Sequence, residues 1–347
     1  MQIKVNNKIL ELPAFFPDAT YGVVRCLDSN DLYSTKTKGV VINTYHILKY
    51  NLNETIKKIK ITKYMNFNNI IISDSGGFQV MSLIKNNKKF GKIDNEKIIF
   101  KSENKEFIFT PEICIKLQFE LGSDIIMCLD DCTKPEEDLK QSVERTINWA
   151  KKCKEEYNRL ITENHKPLIF AIVQGGNNKE LRKYCAEELI KIGFDGYAFG
   201  GWPIENKTLM EEILAYTASL LPNNLPKYAM GIGKPEDILK CIKMGYNLFD
   251  CVLPTRDARH KRLYIFNDLN LSNNFYSCID IGKKQYKGDF SSVSEYCDCY
   301  CCKNFTKDYL YNLFKIKETL AYRLATIHNL RFYSILFELI GKTFQRK

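Results

Sequence analysis

Eight short apolar runs, each followed by a stretch with helical spacing, constrain the fold of this chain more than any other feature of its sequence. The runs are continuously apolar rather than alternating, which is typical of parallel strands that are covered on both faces. They lie at residues 22–26, 39–44, 69–74, 124–130, 168–174, 196–201, 227–231 and 248–251. This pattern predicts an α/β fold, with a (β/α)8 TIM barrel as the first interpretation and a doubly wound sheet as the alternative.

The stretches between the runs are predicted helices, and three of them begin at a proline, which suits the first helical position because no N–H is needed there. They lie at residues 31–35, 55–64, 111–121, 135–161, 179–192, 209–221 and 235–244. Ahead of them, residues 2–12 alternate around Asn6-Asn7 and predict a β-hairpin. Residues 97–110 predict an inserted hairpin that turns at 102–104.

Charge and apolar patterning limit the class of protein. The 347 residues carry a formal net charge of +10, which fits a nucleic-acid partner but also arises in lysine-rich chains without one. No apolar run approaches the roughly 20 residues of a membrane span, and residues 1–8 lack the apolar core of a signal peptide. We therefore expect a cytoplasmic protein without membrane association, whose scattered cysteines are small buried residues.

Polar side chains stand at the ends of the predicted strands. Asp74, Asp130 and Gln174 end three of the runs, and Asp250 lies inside the last run, just ahead of a basic segment. Barrel enzymes keep their chemistry at the carboxyl ends of the strands, which meet at one face. Taken alone, Asp250 has a second interpretation as a core residue that caps a turn. The recurrence of polar ends on strand after strand predicts a single concave polar pocket.

A crowded set of cysteines predicts a metal site. Cys297, Cys299 and Cys302 are followed by His328 on a segment with helical apolar spacing. Three thiolates and one imidazole make the closed tetrahedral set of structural Zn2+ sites, which do not catalyse. Cys301 is an alternative to Cys302 as a ligand, and a chance cluster is the alternative to a metal site. We predict a barrel domain at 1–268 and a zinc-binding subdomain at 269–347, closed by a helix at 330–346.

Several long motifs resemble those of the tRNA-guanine transglycosylases, also called queuine tRNA-ribosyltransferases. They are Asn43-Thr44-Tyr45-His46, Asp74-Ser75-Gly76-Gly77-Phe78-Gln79-Val80, Val173-Gln174-Gly175, Gly193-Phe194-Asp195-Gly196-Tyr197-Ala198, Met230-Gly231-Ile232-Gly233-Lys234-Pro235 and Phe249-Asp250-Cys251-Val252-Leu253-Pro254-Thr255-Arg256. The resemblance covers nearly the whole chain, including the zinc-ligand pattern. It implies a (β/α)8 barrel that exchanges guanine at the wobble position of tRNA anticodons for a 7-deazaguanine base, in queuosine modification.

The resemblance also implies a role for each residue of the site. Asp250 would be the nucleophile that attacks ribose C1′ and forms a covalent ribosyl-aspartate intermediate, with Asp74 as the general acid/base. Arg256 and Arg259 would hold tRNA phosphates. The residues that would bind or enclose the base are Asp130, Gln174, Gly200, Gly201, Phe78 and Met230.

Departures from the family's pattern concern the substrate and leave alternatives open. The loop that reads Trp202-Pro203-Ile204-Glu205 replaces a Leu-Ala-Val-Gly-like stretch that helps the family choose its incoming base, 7-aminomethyl-7-deazaguanine or queuine. His260-Lys261 replaces the usual Asn-Gly. One alternative is a non-catalytic accessory subunit of the same fold, which the intact acids disfavour, and another is base exchange on a different nucleic acid. The family also suggests a homodimer.

Overall fold

The computed structural model describes residues 1–102, 105–132 and 138–345. Its strands, in chain order, are β1 (Gln2–Val5), β2 (Lys8–Glu11), β3 (Ala14–Pro17), β4 (Gly39–Asn43), β5 (Ile70–Asp74), β6 (Gly91–Ile93), β7 (Ile98–Ser102), β8 (Lys105–Phe109), β9 (Ile125–Met127), β10 (Leu168–Val173), β11 (Gly196–Phe199), β12 (Ile204–Glu205), β13 (Thr208–Leu209), β14 (Lys227–Ala229), β15 (Leu248–Cys251), β16 (Arg262–Phe266) and β17 (Tyr276–Asp280).

Its helices, in chain order, are α1 (Ser29–Ser34), α2 (Thr44–Lys49), α3 (Asn53–Ile59), α4 (Ile61–Met65), α5 (Gly77–Asn86), α6 (Pro111–Leu121), α7 (Leu139–Leu160), α8 (Lys179–Ile192), α9 (Glu211–Leu220), α10 (Pro235–Lys243), α11 (Leu253–Arg259), α12 (Tyr300–Asn304), α13 (Lys307–Lys315) and α14 (Leu320–Gln345). Short 3-10 turns lie at Lys88–Phe90 and Lys284–Tyr286. In the described part of the chain, no helix is both long and apolar enough to cross a membrane.

An eight-stranded parallel sheet forms the centre of the molecule and is nearly closed into a barrel. Its strands follow one another in chain order as β3, β4, β5, β9, β10, β11, β14 and β15, and β15 pairs in parallel with β3. Between β3 and β4 the ring is completed by a bridge from Asp18 to Val41, where the Ala19 N–H donates to the Val41 carbonyl at 2.7 Å. The order never reverses, so the TIM barrel is confirmed and the doubly wound sheet is excluded.

The first barrel strand is β3, and the prediction that placed it at residues 22–26 was wrong. Gly22 and Cys26 both have positive φ, at 70° and 71°, outside the extended region that strand residues occupy. The four residues of β3 give no clear strand signal, because they end in Pro17, a residue type that is depleted from strands. Asp250 of β15 is in register with Phe16 of β3, so this strand borders the predicted nucleophile.

The predicted helices at 111–121 and 179–192 are confirmed as α6 and α8. The predicted helix at 55–64 is divided into α3 and α4, because Lys60 takes φ 62° and ψ 152° and interrupts the hydrogen-bonded turns. The long helix α7 begins at Leu139 in the described part of the chain, and its predicted start at Pro135 lies outside the described residues.

Both predicted hairpins are present. Strands β1 and β2 pair around Asn6, and Lys8 forms an ion pair with Asp124 at the start of β9, at 2.7 Å. Strands β7 and β8 pair in antiparallel fashion and, together with β6, make a small three-stranded sheet. The centre of the predicted turn at 102–104 lies outside the described residues.

The long helix α14 joins the C-terminal elements to the barrel. It extends over Leu320–Gln345, so the closing helix is longer than the predicted 330–346. Its Tyr333 ring lies 4.6 Å from the ring of Phe15 in β3, and its Phe332 ring stacks at 4.1 Å on Phe266 in β16. Strands β16 and β17 form an antiparallel hairpin on either side of residue 268. The division of the chain into domains at that residue stays a prediction.

Candidate active site

The carboxyl ends of the barrel strands bring four of the predicted site residues together. Asp74 ends β5, Gln174 directly follows β10, Asp130 follows β9 and Asp250 is the third residue of β15. All these strands are parallel, so their ends open to the same face of the barrel. Burial raises the pKa values of both Asp130 and Asp250, and the charge of Asp74 raises them further, as expected for acids that lie close together.

The Asp250 carboxylate is held by one donor from the neighbouring strand β14 and one from the residues that directly follow that strand. Tyr228 Oη donates to Asp250 Oδ1 at 2.9 Å, and the Gly231 N–H donates to the same oxygen at 3.0 Å. Burial raises the pKa of Asp250 to about 6, and the two hydrogen bonds oppose that rise. Above that pH the group is an oriented anion whose Oδ2 makes neither of these bonds.

The Asp74 carboxylate is held by two side-chain amides. Asn43 Nδ2 donates to Asp74 Oδ2 at 3.0 Å, and Gln79 Nε2 donates to the same oxygen at 3.5 Å. Burial raises the pKa of Asp74, while these bonds and backbone N–H groups of Ser75 and Gly76 lower it. An acid whose pKa is moved toward neutrality can both give and take a proton, which a general acid/base must do in two successive half-reactions.

Asp130 and Gln174 form a buried pair. They are 5% and 3% exposed, and Gln174 Nε2 donates to Asp130 Oδ2 at 2.6 Å. Burial raises the pKa of Asp130 to about 7, with further contributions from the charges of Asp74 and Asp131. The ionised carboxylate is an acceptor only, which suits the N–H edge of a purine, and the Gln174 amide can serve as donor or acceptor.

The two glycines after β11 have different environments. A side chain on Gly200 would lie 2.6 Å from Gln174 Nε2, so this glycine makes room for the Gln174 amide. Its N–H already donates to the Val173 carbonyl at 2.9 Å, and its own carbonyl accepts from Arg182 Nη2 at 2.9 Å. Gly201 has φ +93°, a conformation that L side chains rarely adopt. Of the two, Gly201 is the position where backbone could approach a base.

The residues predicted to enclose the faces of the base, Phe78 and Met230, follow the strands β5 and β14. Phe78 and Met230 are half-buried, and the Phe78 ring meets the Trp202 ring edge-on at 5.2 Å between centroids. Trp202 is 46% exposed and leads into the hairpin of β12 and β13, which turns at Asn206 and Lys207 with positive φ. The sandwiching of a base between Phe78 and Met230 stays a prediction.

The two predicted phosphate ligands lie on α11, the helix that directly follows β15. Arg256 is exposed, whereas Arg259 is half-buried and donates from Nη1 to the Thr255 carbonyl at 2.8 Å. Burial and the charges of Arg25 and Arg256 lower the pKa of Arg259. This rim of positive charge beside the acidic pocket suits a polyanion whose reacting group reaches inward.

The predicted metal ligands are brought together. One ligand atom from each of Cys297, Cys299, Cys302 and His328 lies within 4.8 Å of all the others. His328 Nδ1 is 3.2 Å from Cys302 Sγ and 3.9 Å from Cys299 Sγ, and a tetrahedral zinc ion would place neighbouring ligand atoms about 3.5–3.8 Å apart. His328 Nε2 lies 2.7 Å from the Tyr264 carbonyl, a bond that directs Nδ1 toward the thiols. The residues therefore fit a metal ion, and Cys301 is outside the set.

Some residues that support the site were not predicted. The sequence predicts Tyr228 only as part of a strand, whereas its hydroxyl donates to Asp250 in the structure. The sequence predicts Arg182 only as part of a helix, whereas its side chain reaches the ends of β10 and β11. Its signal in the sequence was slight, since a single arginine in a helix is usually exposed.

Comparison with known proteins gives one consistent result. The family model for queuine tRNA-ribosyltransferase matches residues 1–346. The queuine tRNA-ribosyltransferase of Buchnera aphidicola subsp. Schizaphis graminum is 38% identical over 99% of this chain and 91% of its own length. Those of Mannheimia succiniciproducens and Actinobacillus pleuropneumoniae serotype 3 are 40% and 39% identical, over 95% and 97% of this chain and 85% and 86% of theirs.

Proposed function

The chain belongs to the queuine tRNA-ribosyltransferase family, and we infer that it is a tRNA-guanine transglycosylase, an enzyme that exchanges guanine in tRNA during queuosine modification. We propose that the exchanged guanine is the wobble base of the anticodon and that the incoming base is a 7-deazaguanine, 7-aminomethyl-7-deazaguanine or queuine. The observation that carries this proposal is the pocket with Asp250, Asp74 and the Asp130–Gln174 pair at the strand ends. A tRNA substrate also indicates the cytoplasm.

In the first half-reaction, Asp250 attacks C1′ of the wobble nucleotide. A bond forms between the carboxylate oxygen and C1′, the glycosidic bond to guanine breaks, and Asp74 donates a proton to the departing base. The Tyr228 hydroxyl and the Gly231 N–H hold the nucleophile by one oxygen, so that the other can face the ribose. A covalent ribosyl-aspartate replaces one difficult displacement by two easier ones.

In the second half-reaction, the incoming base enters the pocket that guanine has left. Asp74, now ionised, accepts the proton that the base must lose, and the base attacks C1′ to release Asp250. Ionised Asp130 accepts from N1–H and the 2-amino group of the base, and Gln174 completes the contact. Both guanine and the 7-deazaguanines have this edge, so selection at position 7 falls to the loop that contains Trp202.

Incubation of the protein with labelled guanine and unmodified tRNA that has guanine at the wobble position tests this function. We expect label to enter the tRNA without any partner protein, and unlabelled single-stranded DNA of the same loop sequence not to compete. Effective competition by DNA would favour the alternative of a different nucleic acid. Absence of label in the tRNA, with folded protein, would contradict the exchange reaction and favour an accessory subunit.

The rate constant kcat/KM for the incoming base is expected to rise with pH between about 6 and 8 and then to level off, because Asp130 must be ionised and its pKa is about 7. Initial rates at subsaturating guanine across this range measure kcat/KM, and Asp130→Asn should show no such rise.

The raised pKa of Asp130 affects the stability of the fold in the opposite direction. A carboxyl whose pKa is raised from 3.8 to about 7 lowers the stability of the folded state progressively as pH rises from about 4 to 7. Asp130→Asn should therefore raise the Tm more at pH 8 than at pH 5.

We propose that the metal held by Cys297, Cys299, Cys302 and His328 is zinc and that its role is structural. Soft thiolates with one imidazole are the ligand set that zinc prefers, and four protein ligands leave no open position for a substrate. When bound, the ion would link α12 and the residues just before it to α14. Asn329, the neighbour of His328, donates to the carbonyls of Pro254 and Arg262, both at 3.0 Å. The metal subdomain thus supports α11 and its basic rim.

We propose that the chain forms a homodimer through an exposed aromatic cluster on the zinc subdomain, made of Tyr300, Phe305 and Tyr309. The Phe305 ring stacks on Tyr309 at 5.1 Å and meets Tyr300 at 5.6 Å, while Tyr300 and Tyr309 are 49% and 40% exposed. Exposed apolar clusters of this kind mark interfaces. Sedimentation should show a dimer that Tyr309→Glu converts to monomer, whereas Tyr184→Glu on α8 leaves it intact. A monomeric wild-type protein would contradict the proposal.

A further inference from the structure

A buried arginine lies behind the ends of β10 and β11. The Arg182 side chain on α8 is 1% exposed, and its guanidinium lies over the Phe199 ring at 4.1 Å. Burial lowers the pKa of Arg182 to about 10, and no carboxylate is among the groups that act on it in the described residues. The group is therefore still charged at neutral pH. A buried cation without a counter-ion is costly unless hydrogen bonds satisfy its donors.

All three donor groups of this guanidinium bind backbone carbonyls around the proposed base pocket. Nε donates to Gly176 at 2.7 Å, Nη1 to Val173 at 3.1 Å and Nη2 to Gly200 at 2.9 Å. The first two carbonyls flank Gln174 and the third immediately precedes Gly201. One rigid planar group thus spans the two strand ends that carry the proposed base contacts.

The backbone around Arg182 is shaped to admit it. Gly175 has φ +137°, and a side chain there would lie 2.7 Å from the Arg182 N atom and 2.8 Å from its Cγ. The Val173 carbonyl accepts from both Arg182 and the Gly200 N–H. The same oxygen therefore fixes the position of the guanidinium and the distance between the ends of β10 and β11. A shift of the guanidinium would move the Gln174 amide relative to the Gly200–Gly201 backbone.

We propose that Arg182 is a positioning residue for base recognition, which fixes the Gln174 amide and the Gly200–Gly201 backbone as one preorganised unit. This inference rests on the proposed function, since it concerns the pocket that is assigned to the base. Arg182 does not contact the base or the reacting atoms. It acts through three carbonyls, and its loss affects the base more than the tRNA, whose phosphates bind elsewhere.

The test compares steady-state constants of Arg182→Lys and Arg182→Met with those of the wild type, in the exchange of labelled guanine into unmodified tRNA. Lysine keeps the charge but cannot reach three carbonyls in a planar fork. We expect the KM for guanine to rise at least about tenfold in Arg182→Lys while the KM for tRNA stays within about threefold, because misplaced binding groups of this kind cost about one to two orders of magnitude. If Arg182→Met does not fold, Arg182→Lys carries the test.

Lys227→Met is the matched control. Lys227 is also a buried cation that donates to a backbone carbonyl, that of Ala218 at 2.7 Å, but it begins β14 at the opposite end of the barrel. We expect this variant to lose stability without a change in either KM. A folded Arg182→Lys variant with the same kcat and KM values as the wild type would overturn the positioning role. The same holds if only kcat falls, in proportion to the fraction of the variant that is folded. A wild-type protein that exchanges no guanine would overturn the proposed function, and the inference with it.

Discussion

Exchange of labelled guanine into tRNA is expected to fall by at least about three orders of magnitude when Asp250 is replaced by asparagine, because a neutral amide cannot form the ribosyl ester. The substitution should leave the fold intact. The asparagine oxygen can still accept from Tyr228 Oη and the Gly231 N–H, which hold Asp250 Oδ1 at 2.9 and 3.0 Å. Burial raises the pKa of Asp250 to about 6, so removal of the charge relieves a cost of folding at neutral pH.

A denaturing gel provides the second measurement for this variant. Wild-type protein incubated with tRNA alone should give a band of covalent tRNA adduct that Asp250→Asn lacks. Asp257→Asn is the control, because Asp257 lies on α11 and accepts from Tyr264 Oη at 2.6 Å, away from the base pocket. Exchange in Asp250→Asn above a tenth of the wild-type rate, or an adduct that persists in it, would assign the nucleophile to another residue.

Cys302→Ser, or removal of the metal by a chelator, is expected to lower the Tm by about 10 °C or more. Loss of one ligand from a buried four-ligand site removes most of the metal's binding free energy, which is part of the folding free energy. The other ligands would remain buried, with His328 fully inaccessible and two thiols beside it. Thermal unfolding, together with zinc content by atomic emission, measures the effect.

The adjacent Cys301 supplies the control for the metal site. It is completely buried but lies outside the group of ligand atoms, so Cys301→Ser should keep the metal and lose only about 1 kcal/mol of stability. If Cys301→Ser loses zinc and Cys302→Ser retains it, the metal ligand is Cys301 and not Cys302. A wild-type protein that is stable and free of metal would contradict a structural zinc site altogether.

The barrel and the central acids of the pocket could be predicted because their signals are local. Continuous apolar runs and the polar residues at their ends indicated seven of the eight strands of the sheet, and with them the positions of Asp74, Asp130 and Asp250. The first strand was missed because β3 has only four residues and ends in a proline. This segment is a strand because it pairs with β15. The pairing joins residues more than 200 positions apart, so it leaves no local pattern in the sequence.

The supporting side chains could not be predicted for a related reason. The bond from Tyr228 to Asp250 depends on the register of two strands, and the three bonds of Arg182 depend on how α8 packs behind the sheet. The cysteine cluster was an easier case, since three of its ligands lie within a few residues of one another. Only His328 is distant from the other ligands in the sequence, and the helical spacing of the apolar residues before it predicts the helix that carries it.

The contact of α14 with the first barrel strand has a consequence for how the protein is made. Arg323 of α14 forms two hydrogen bonds, both of 2.8 Å, with Asp31, a residue 292 positions earlier, and Tyr333 packs on Phe15. The barrel strand that is translated first, β3, is therefore covered by a helix that is synthesised more than 300 residues later. Until then β3 lacks both β15 and α14, and its apolar side chains stay accessible to chaperones. Folding of the barrel is thus completed only after nearly all of these residues have been translated.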